Sequence, residues 1–355
     1  MTQPQRSIAF IAGNKNPQKF ASDPAFIYRC ENPAAAAKEQ GHNAHCLHIN
    51  DCYTKLPEVD IAVFHRPCTR TWLQRWQFRQ LIRRLRAQGT LLIADFDDRV
   101  FASDFAKDSP GVRNNYVSLK QTQKNFAQHQ RVLNLFDTYT VSTTPLQQTL
   151  QPLVDGPVHW LPNAPHKSWY RHQPTATADN TFIIKYLPGT RSHDKDFALV
   201  ADAVGQFLSK HKDAQLHITG VLDPSQLPHS LAAQKDQIIW QQKQPYDLYW
   251  QCVNAGHVHL APLEDTPFNR CKSALKAIEA GFFNRPTIAS PIPDMQRLAS
   301  AGVSYAQTPT EWFEQLERHK QQPTCQYQAL REAVLACYSA EQHAQAIVQL
   351  YEQQP

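Results

Sequence analysis

Glycine is scarce in this sequence, which has 11 glycines among its 355 residues. Glycine-rich loops bind nucleotides because a backbone without side chains can approach a phosphate closely. Neither the G-x-G-x-x-G pattern of dinucleotide-binding folds nor the P-loop pattern G-x-x-x-x-G-K-[ST] occurs in the chain. Any phosphate site is therefore expected to be built from side chains and helix ends.

Long apolar runs and paired cysteines are also missing. No apolar run reaches the ~18 residues that a membrane-spanning helix needs. The first residues, MTQPQRSIAFIAG, lack the charged and apolar regions of a signal peptide. The eight cysteines form no C-x-x-C pair, which predicts free thiols in a reducing compartment. These absences predict a cytoplasmic protein.

The charge balance is mildly basic, with a net charge of +5 at pH 7. This balance suits acidic small molecules, anionic membrane surfaces or nucleic acid, and it does not choose among them. Hydrophobic residues make up 42% of the chain and charged residues 19%, as in ordinary globular proteins. A chain of 355 residues is long enough for two domains.

Short apolar runs alternate with helical patterns through most of the chain. SIAFIAG, DIAVFH and GTLLIADF are typical of strands in the first half, as are TFIIKYL, HVHLAP and PTIAS in the second. This alternation predicts α/β architecture, with parallel sheets covered by helices. The polar stretch 164–180 interrupts it. We therefore expect two Rossmann-like doubly wound domains, 1–165 and 166–335, and a last helix within 336–355 that packs toward the first domain.

A line of polar residues marks the segment FNRCKSALKAIEAGF, which the pattern predicts to be one helix over 268–282. On a helical projection the polar groups fall within ~120° of one another, opposite an apolar side. They are Asn269, Lys272, Ser273, Lys276 and Glu279. Lys272 and Ser273 are predicted in the first turn, where free N–H groups favour an anion. The alternative is a solvated face with a Lys276–Glu279 salt bridge.

A second polar cluster follows the strand TFIIKYL, where a Pro-Gly turn leads into an amphipathic helix. This cluster contains Gly189, Thr190, Arg191, Ser192, His193 and Lys195. Cations and hydroxyl groups at a strand-to-helix turn are suited to binding phosphate. Two such clusters in one domain favour a diphosphate ligand.

The chain resembles GT-B glycosyltransferases of the bacterial family 4 type over roughly residues 90–295. The resemblance is carried by KDFALVADAV, by HLAPLEDTPFNRCKSALKAIEAGFFNRPTIAS, by TYTVSTTPLQQTL with VHWLPNAPHKSW, and by LLIADFDDRVF. It implies that Glu279, the second Glu of the family's E-x7-E motif, binds the nucleotide ribose. It also implies that Lys195 contacts the diphosphate, with Arg191 near the matching arginine. The first Glu of the motif is replaced by Cys271.

The implied activity is a retaining, metal-independent hexosyltransferase reaction in bacterial surface polysaccharide synthesis. A UDP- or GDP-sugar would be the donor, and a hydroxyl of a glycan or a lipid-linked acceptor would receive the sugar, without a cofactor. Lys195, Arg191 and Lys272 would stabilise the departing diphosphate. An epimerase or phosphorylase of the same fold is a second reading. A degenerate scaffold in an assembly complex is a third, because half of the E-x7-E motif is missing.

Polar residues also end two strands of the first half. The segment DFDD contains Asp97 and Asp98, and DIAVFH leads into His65 and Arg66. A D-x-D pattern can hold Mg²⁺ or Mn²⁺. The donor cluster lies in the other half, however, so we expect no metal and assign Asp97 and His65 to catalysis, Asp98 and Arg66 to the acceptor side. Capping and structural roles are the alternatives.

A basic helix is predicted over residues 69–89. Arg75, Arg79 and Arg83 share a face with Trp72 and Trp76, away from the apolar stripe. Arg and Trp together suit an anionic membrane surface, so the protein is expected to be peripheral on the inner face of the membrane. A solvated face is the alternative, and no nucleic-acid-binding fold accompanies the patch. In the second half, Tyr246 is expected at the nucleobase, with loop packing as the alternative.

Overall fold

The computed structural model describes residues 4–13, 16–176, 180–189, 194–322 and 329–354. These residues form two six-stranded sheets, and every strand pairing in both sheets is parallel. Helices cover the sheets, since parallel strands must be joined by crossovers. The prediction of two Rossmann-like α/β domains is confirmed.

The first sheet has the order β2-β1-β3-β4-β5-β6. Its strands are β1 (Ser7–Ala12), β2 (Asn43–His48), β3 (Ile61–His65), β4 (Leu91–Phe96), β5 (Thr138–Val141) and β6 (Val158–Trp160). Strands β3 and β4 are buried along their whole length, as their continuous apolar runs predict.

The second sheet has the order β12-β11-β10-β7-β8-β9. Its strands are β7 (Phe182–Tyr186), β8 (Ala214–Thr219), β9 (Ile238–Gln241), β10 (Val258–Ala261), β11 (Thr287–Ala289) and β12 (Val303–Tyr305). Its core includes Ile184, Leu216, Leu260 and Ile288.

The helices of the first half of the chain start with the single-turn helix α1, which a π-helical segment follows. They are α1 (Pro24–Phe26), the π-helix Ile27–Glu31, α2 (Asn32–Glu39), α3 (Ile49–Thr54), α4 (Trp72–Ala87), α5 (Pro110–Arg113), α6 (Leu119–Gln130) and α7 (Thr144–Leu150). Helix α4 is the predicted basic helix. Phe78, Leu81, Ile82 and Leu85 are its buried residues.

Helices in the second half cover the second sheet and end the chain. They are α8 (Asp194–Lys210), α9 (His229–Ala232), α10 (Tyr246–Asn254), α11 (Leu275–Phe282), α12 (Pro293–Gln296), α13 (Pro309–Gln321), α14 (Leu330–Cys337) and α15 (Ala340–Glu352). Ala344 and Ile347 of α15 share one apolar cluster with Ile8 and Phe10 of the first sheet. None of the helices in the described ranges is long and apolar enough to cross a membrane.

Each sheet has one switch point, where the chain leaves neighbouring strands in opposite directions. In the first sheet it lies between β1 and β3, and in the second between β7 and β10. Such a point opens a crevice at the carboxyl ends of the strands, where open α/β sheets bind their ligands. Gly13 and His65 lie at the first switch point, and Leu187 and Ala261 at the second.

Candidate functional site

Polar groups from the carboxyl ends of both sheets meet across the boundary between the two halves. The segment 268–273, which precedes α11, crosses this boundary. Its Phe268 and Cys271 are buried in the core of the first half. The hydroxyl of Thr143 donates to the carbonyl oxygen of Cys271 at 2.9 Å. The Nδ2 atom of Asn163 donates to the hydroxyl of Ser273 at 3.0 Å.

The single helix predicted over 268–282 is wrong in its first half. A 3-10 turn covers Asn269–Cys271, Lys272 is extended with φ −67° and ψ 145°, and α11 begins only at Leu275. The helix breaks because Phe268 and Cys271 pack into the other half of the molecule. Lys272 and Ser273 therefore precede the helix and are not in its first turn.

The start of α11 also carries an anion of its own. The backbone N–H of Ala274 donates to Asp294 Oδ2 at 2.7 Å. Asp294 is buried, so its carboxylate occupies the position that a helix N-terminus offers to an anion. The expectation that free N–H groups of this turn hold a phosphate is therefore corrected, and Lys272 remains as the nearby cationic group.

Lys272 forms an ion pair between the two halves of the molecule. Its Nζ lies 3.0 Å from Asp98 Oδ1, and both side chains are partly exposed, at 24% and 21%. The Nζ is also 5.2 Å from the centre of the Phe268 ring. A carboxylate thus occupies the position beside Lys272 where the sequence predicts a donor phosphate.

Asp98 belongs to a connected charged group at the ends of β3 and β4. Arg66 donates from Nε to Asp97 Oδ1 at 2.5 Å and from a terminal nitrogen to Asp98 Oδ2 at 2.9 Å. His65 Nε2 lies 3.1 Å from Asp97 Oδ1. Arg66 has a φ of 47°, a strained value for a residue with a side chain. The structure therefore brings the strand-end residues His65, Arg66, Asp97 and Asp98 together with Lys272 of the other half, a meeting that the sequence alone did not predict.

The electrostatics of this group keep Asp97 ionised. Burial opposes its charge, but the Arg66 guanidinium and the His65 hydrogen bond hold the pKa of Asp97 well below its usual range. Burial opposes the charge of Arg66 as well, and the two carboxylates raise the pKa of Arg66 above its usual value. Asp97 is thus a carboxylate that positions Arg66 and His65, and it is too weak a base to remove a proton alone.

Lys276 reaches the switch point of the second sheet. Its Nζ donates to the carbonyl oxygen of Leu187 at 3.0 Å and lies 5.0 Å from the centre of the Tyr186 ring. Burial lowers the pKa of Lys276 to about 8, against the attraction of Asp196 and Glu279. A cation with one neutral hydrogen-bond partner at a switch point is suited to receive an anionic ligand. The alternative of a solvated Lys276–Glu279 salt bridge is wrong.

Glu279 is buried and both of its oxygen atoms are occupied. Tyr28, from the π-helix of the first half, donates to Oε1, and Tyr249 donates to Oε2 at 3.2 Å. Burial raises the pKa of Glu279 to about 7, although both tyrosines and Lys276 favour its charge. Ribose binding by Glu279 stays a prediction, and it requires the Tyr28 hydroxyl to leave.

Tyr246 packs in an aromatic cluster beside Glu279. Its ring stacks on Trp169 at 6.0 Å and meets Tyr28 edge-on at 5.8 Å. Burial raises the pKa of the Tyr246 hydroxyl well above its usual value. The structure thus gives the packing role that was the alternative, and contact with a nucleobase stays a prediction.

Asn269 holds the loop after β10 in place. Its Nδ2 donates to Asp196 Oδ1 at 3.2 Å and to the carbonyl oxygen of Glu264 at 3.1 Å. Its Oδ1 is buried without a hydrogen-bond partner. Asn269 therefore has a structural role through its Nδ2 atom. Only its Oδ1 atom remains to make the predicted contact with the donor.

The second polar cluster is described in part. Lys195 is exposed and donates to the carbonyl oxygen of Arg113 at 2.6 Å, across the boundary between the halves. An added side chain at Gly189 would meet no atom within 4 Å. Thr190, Arg191 and His193 lie outside the described residues. The diphosphate role of this cluster stays a prediction.

Three residues at this boundary were not predicted: Tyr28, Asn163 and Asp294. Tyr28 is separated from Glu279 by 251 positions, so no local pattern could reveal the contact. Asn163 lies in the VHWLPN passage, where its type alone could have suggested a polar contact. In the described parts of the chain no group of three His, Cys, Asp or Glu side chains is arranged to hold a metal ion.

Known structures share this architecture at low sequence identity. A UDP-forming alpha,alpha-trehalose-phosphate synthase from Burkholderia xenovorans is 10% identical, with 98% of this chain and 99% of that chain covered and a TM-score of 0.58. A trehalose-6-phosphate protein from E. coli bound with UDP-2-fluoro glucose is 10% identical, covers 98% and 100%, and has a TM-score of 0.59. MnaA of S. aureus with UDP is 12% identical, covers 96% and 95%, and has a TM-score of 0.52.

These likenesses show that the chain has the GT-B fold, with two Rossmann-like domains facing each other. At such identities a likeness speaks to the fold, and the function has to be argued from the site. No protein-family model matches the sequence, and no curated protein matches it.

Proposed function

We propose that this protein is a glycosyltransferase that moves a sugar from a nucleotide-diphosphate donor to an acceptor hydroxyl. The observation that carries the proposal is the pair of lysines, Lys272 and Lys276, that lies where the second sheet faces the first. Lys272 holds a carboxylate of the opposite domain, and Lys276 lies at the switch point. Two cations four positions apart in the sequence, at the boundary between the two sheets, suit the two phosphates of a donor.

The donor diphosphate would replace the Asp98 carboxylate at Lys272. An ion pair as exposed as this one contributes only ~0–1 kcal/mol, so its replacement costs little. The Tyr28–Glu279 hydrogen bond is buried and involves a carboxylate, and such bonds contribute ~1.5–3 kcal/mol. Donor binding would therefore break the Lys272 pair easily, and the entry of the ribose beside Glu279 would be the costlier step.

Catalysis would rest on fixed positive charge. As the bond between the sugar and the diphosphate breaks, negative charge develops on the leaving group, and Lys272, Lys276 and Lys195 would stabilise it without a metal ion. His65 and Asp97 lie across the boundary, where the donor sugar and the acceptor would meet. We propose retention of configuration, as the family resemblance implies.

A uridine or guanosine donor is the preferred hypothesis. Two of the fold neighbours were solved with UDP or with UDP-2-fluoro glucose, which supports a nucleotide-sugar ligand for this fold. Calorimetric titration of the full chain with UDP and with GDP tests the proposal. We expect saturable binding of one of them and slow hydrolysis of the corresponding sugar donor. Absence of binding by both would contradict it.

A scaffold without catalytic activity is the second candidate. It is favoured by Cys271, which stands in place of the first motif glutamate and is buried in the core of the opposite domain. The hydrogen bond from Tyr28 to Glu279 also favours a scaffold, because it occupies an oxygen atom that a ribose would need. A scaffold would bind no nucleotide, so the same titration separates the two candidates.

Helix α4 carries the proposed membrane contact. Trp72 is 80% exposed and Trp76 is 56% exposed, and Arg79 and Arg83 of the same helix are exposed as well. Aromatic and cationic groups together fit an anionic lipid surface. A location on the inner membrane face would bring the enzyme to lipid-linked acceptors of polysaccharide synthesis.

Sedimentation with lipid vesicles tests this contact. We expect binding to vesicles containing phosphatidylglycerol and none to neutral vesicles. Replacing Trp72 and Trp76 by alanine should weaken binding about tenfold or more, because a buried large apolar side chain contributes ~1.5–3 kcal/mol. Equal sedimentation of the variant and the parent protein would remove the membrane proposal.

A further inference from the structure

A cavity of about 210 Å³ lies in the first domain, away from the paired lysines. It occupies the switch point of the first sheet, between the carboxyl ends of β1 and β3. Gly13, His65 and Arg66 line its floor, and Arg70, Gln128 and His129 are among the residues that close its sides. Sites for drug-sized ligands measure ~300–1,000 Å³, so this cavity suits a ligand of about one sugar ring.

The ends of strands β1 and β3 approach each other closely beside the cavity. The N–H of Gly13 donates to the carbonyl oxygen of His65 at 3.1 Å. A Cβ atom at Gly13 would lie 2.5 Å from the carbonyl oxygen of Arg66, which is too close for any side chain. Arg66, whose φ of 47° is left-handed, lies at this close approach of the two strand ends. Only glycine at position 13 allows this close approach of the two strand ends beside the cavity.

Gln128 supplies a polar side chain that hydrogen-bonds to no other described residue. Its side chain is 6% exposed and lines the cavity. Its backbone oxygen accepts from the N–H of Thr69, but its side-chain amide has no hydrogen-bond partner among the described residues. The side-chain amide is therefore available to hydrogen-bond a ligand in the cavity.

Arg70 supplies a cation that no carboxylate neutralises. Among the described residues it forms no ion pair, its Nε is buried without a partner, and a terminal nitrogen makes only a long contact of 3.4 Å with the oxygen of Gly13. The other arginine of the cavity, Arg66, is bound to Asp97 and Asp98. Asp23 also lines the cavity, and its carboxylate caps α1.

His129 adds a hydrogen-bond acceptor to the groups that line the cavity. Its Nδ1 lies 2.9 Å from the carbonyl oxygen of Pro67, so Nδ1 must carry the proton. Burial, together with the nearby Arg66 and Arg70, lowers the pKa of His129 to about 4, so the ring is neutral at pH 7. Nε2 is then free to accept a hydrogen bond from a hydroxyl group.

We propose that this cavity is the acceptor subsite and that the acceptor is a sugar with an acidic group. Arg70 would bind the phosphate or carboxylate of that sugar, and Gln128 and His129 would hydrogen-bond its hydroxyl groups. The word acceptor rests on the proposed function, whereas the binding of an acidic sugar does not. The cavity shares His65 and Arg66 with the proposed catalytic group, so a sugar bound there would lie beside the donor.

Binding is measured without a donor, so that the subsite is tested independently of transfer. Ligand-observed NMR titrations of the full chain use three probes: glucose 6-phosphate, glucuronate and glucose. We expect at least one acidic sugar to bind about tenfold or more tightly than glucose, a difference of ~1.4 kcal/mol. The preferred probe tells whether the acidic group is a phosphate or a carboxylate. Equal affinities for all three, or no binding of either acidic sugar, would overturn the proposal.

Variants then assign the roles. Arg70→Gln should remove the preference for the acidic sugars about tenfold and leave glucose unchanged, whereas Gln128→Leu should weaken all three probes. Arg79→Gln is the matched control, because Arg79 is an exposed arginine of α4 outside the cavity. Equal losses for Arg70→Gln and Arg79→Gln would reduce the effect to general charge attraction and overturn the site.

The thiol of Cys68, which lines the cavity, gives a local readout. Mass spectrometry should show that the bound acidic sugar slows alkylation of Cys68 and leaves Cys337 of the second domain unaffected. Unchanged alkylation at saturation would place the sugar elsewhere and overturn the proposal. UDP or GDP titration of the same variants separates the two proposals: nucleotide binding without acidic-sugar binding refutes only the subsite, and the reverse refutes only the proposed transferase.

Discussion

The two switch points of this molecule have the same strand topology, but they differ in how many of their polar side chains are already bonded within the protein. At the first one, between β1 and β3, Arg70, whose Nε has no hydrogen-bond partner among the described residues, and Gln128 line an open cavity. At the second, between β7 and β10, Lys276 is bonded to Leu187, and neighbouring groups are paired across the domain boundary. A ligand could therefore enter the first crevice directly, whereas contacts within the protein must break before a ligand enters the second.

Under the proposed function, this difference predicts that donor binding and domain separation are linked. Lys272, Ser273 and Glu279 all contact the first domain, through Asp98, Asn163 and Tyr28. A ligand that takes these groups must also loosen the boundary. The first switch point has no such dependence, because its cavity belongs to one domain.

Lys272→Ala should have the largest effect. Removing one fixed charge that stabilises a leaving group lowers turnover by ~10²–10³. The variant should still fold, since the side chain is partly exposed, and its acidic-sugar binding should be unchanged. Lys210→Ala is the control, because Lys210 is 58% exposed in the last turn of α8. Donor hydrolysis rates measure the effect, and an unchanged rate would refute the phosphate role of Lys272.

Glu279→Gln should change how stability depends on pH. The pKa of Glu279 is raised from 4.5 to about 7, so the folded protein binds a proton more tightly than the unfolded chain does. The stabilisation from this proton is complete below pH 4.5 and is lost as the pH rises to about 7. Relative to the parent protein, Glu279→Gln should gain ~1–3 kcal/mol of unfolding free energy over that range.

Urea unfolding of both proteins at several pH values measures this difference. The comparison of variant with parent cancels the buried histidines, whose lowered pKa values act in the opposite direction over nearly the same range. A difference that stays constant from pH 4.5 to pH 7 would show that Glu279 titrates normally.

Tyr28→Phe should have the smallest effect, and its sign is informative. The Tyr28 hydroxyl competes with a ribose for Glu279, so its removal should tighten UDP or GDP binding about tenfold, at the lower end of the ~1.5–3 kcal/mol that a buried hydrogen bond to a carboxylate contributes. Tyr249→Phe is the matched control. It removes the other hydroxyl from Glu279 but breaks no contact between the domains. Equal affinities of the two variants would refute the link between donor binding and domain separation.

Much of the architecture could be predicted from local pattern. The continuous apolar runs of DIAVFH and GTLLIADF became buried parallel strands, and the helix NPAAAAKEQG ends next to Gly41, whose φ of 88° only glycine adopts easily. The polar residues His65 and Asp97 were identified at the ends of two strands, whereas their contact was not predicted. Local sequence carries these features because each depends on neighbouring residues.

The remaining features depend on contacts between distant parts of the chain. The sequence NRCKSALKAIEAGF has the propensities of one continuous helix, yet Phe268 and Cys271 are pulled into the opposite core and the helix starts at Leu275. The carboxylate of Asp294, 20 positions away, then caps the helix. Tyr28 on Glu279 and the cavity of Arg70 and Gln128 likewise arise from packing between elements, which no spacing in the sequence encodes.

The central claim is that a donor diphosphate takes the place of Asp98 at Lys272. A crystal structure of the full chain with bound UDP or GDP tests it most directly. We expect a phosphate oxygen within hydrogen-bond distance of Lys272 Nζ, Asp98 released from Lys272, and Tyr28 displaced from Glu279. A nucleotide bound elsewhere, with the Lys272–Asp98 pair still formed, would show that Lys272 does not bind the donor diphosphate.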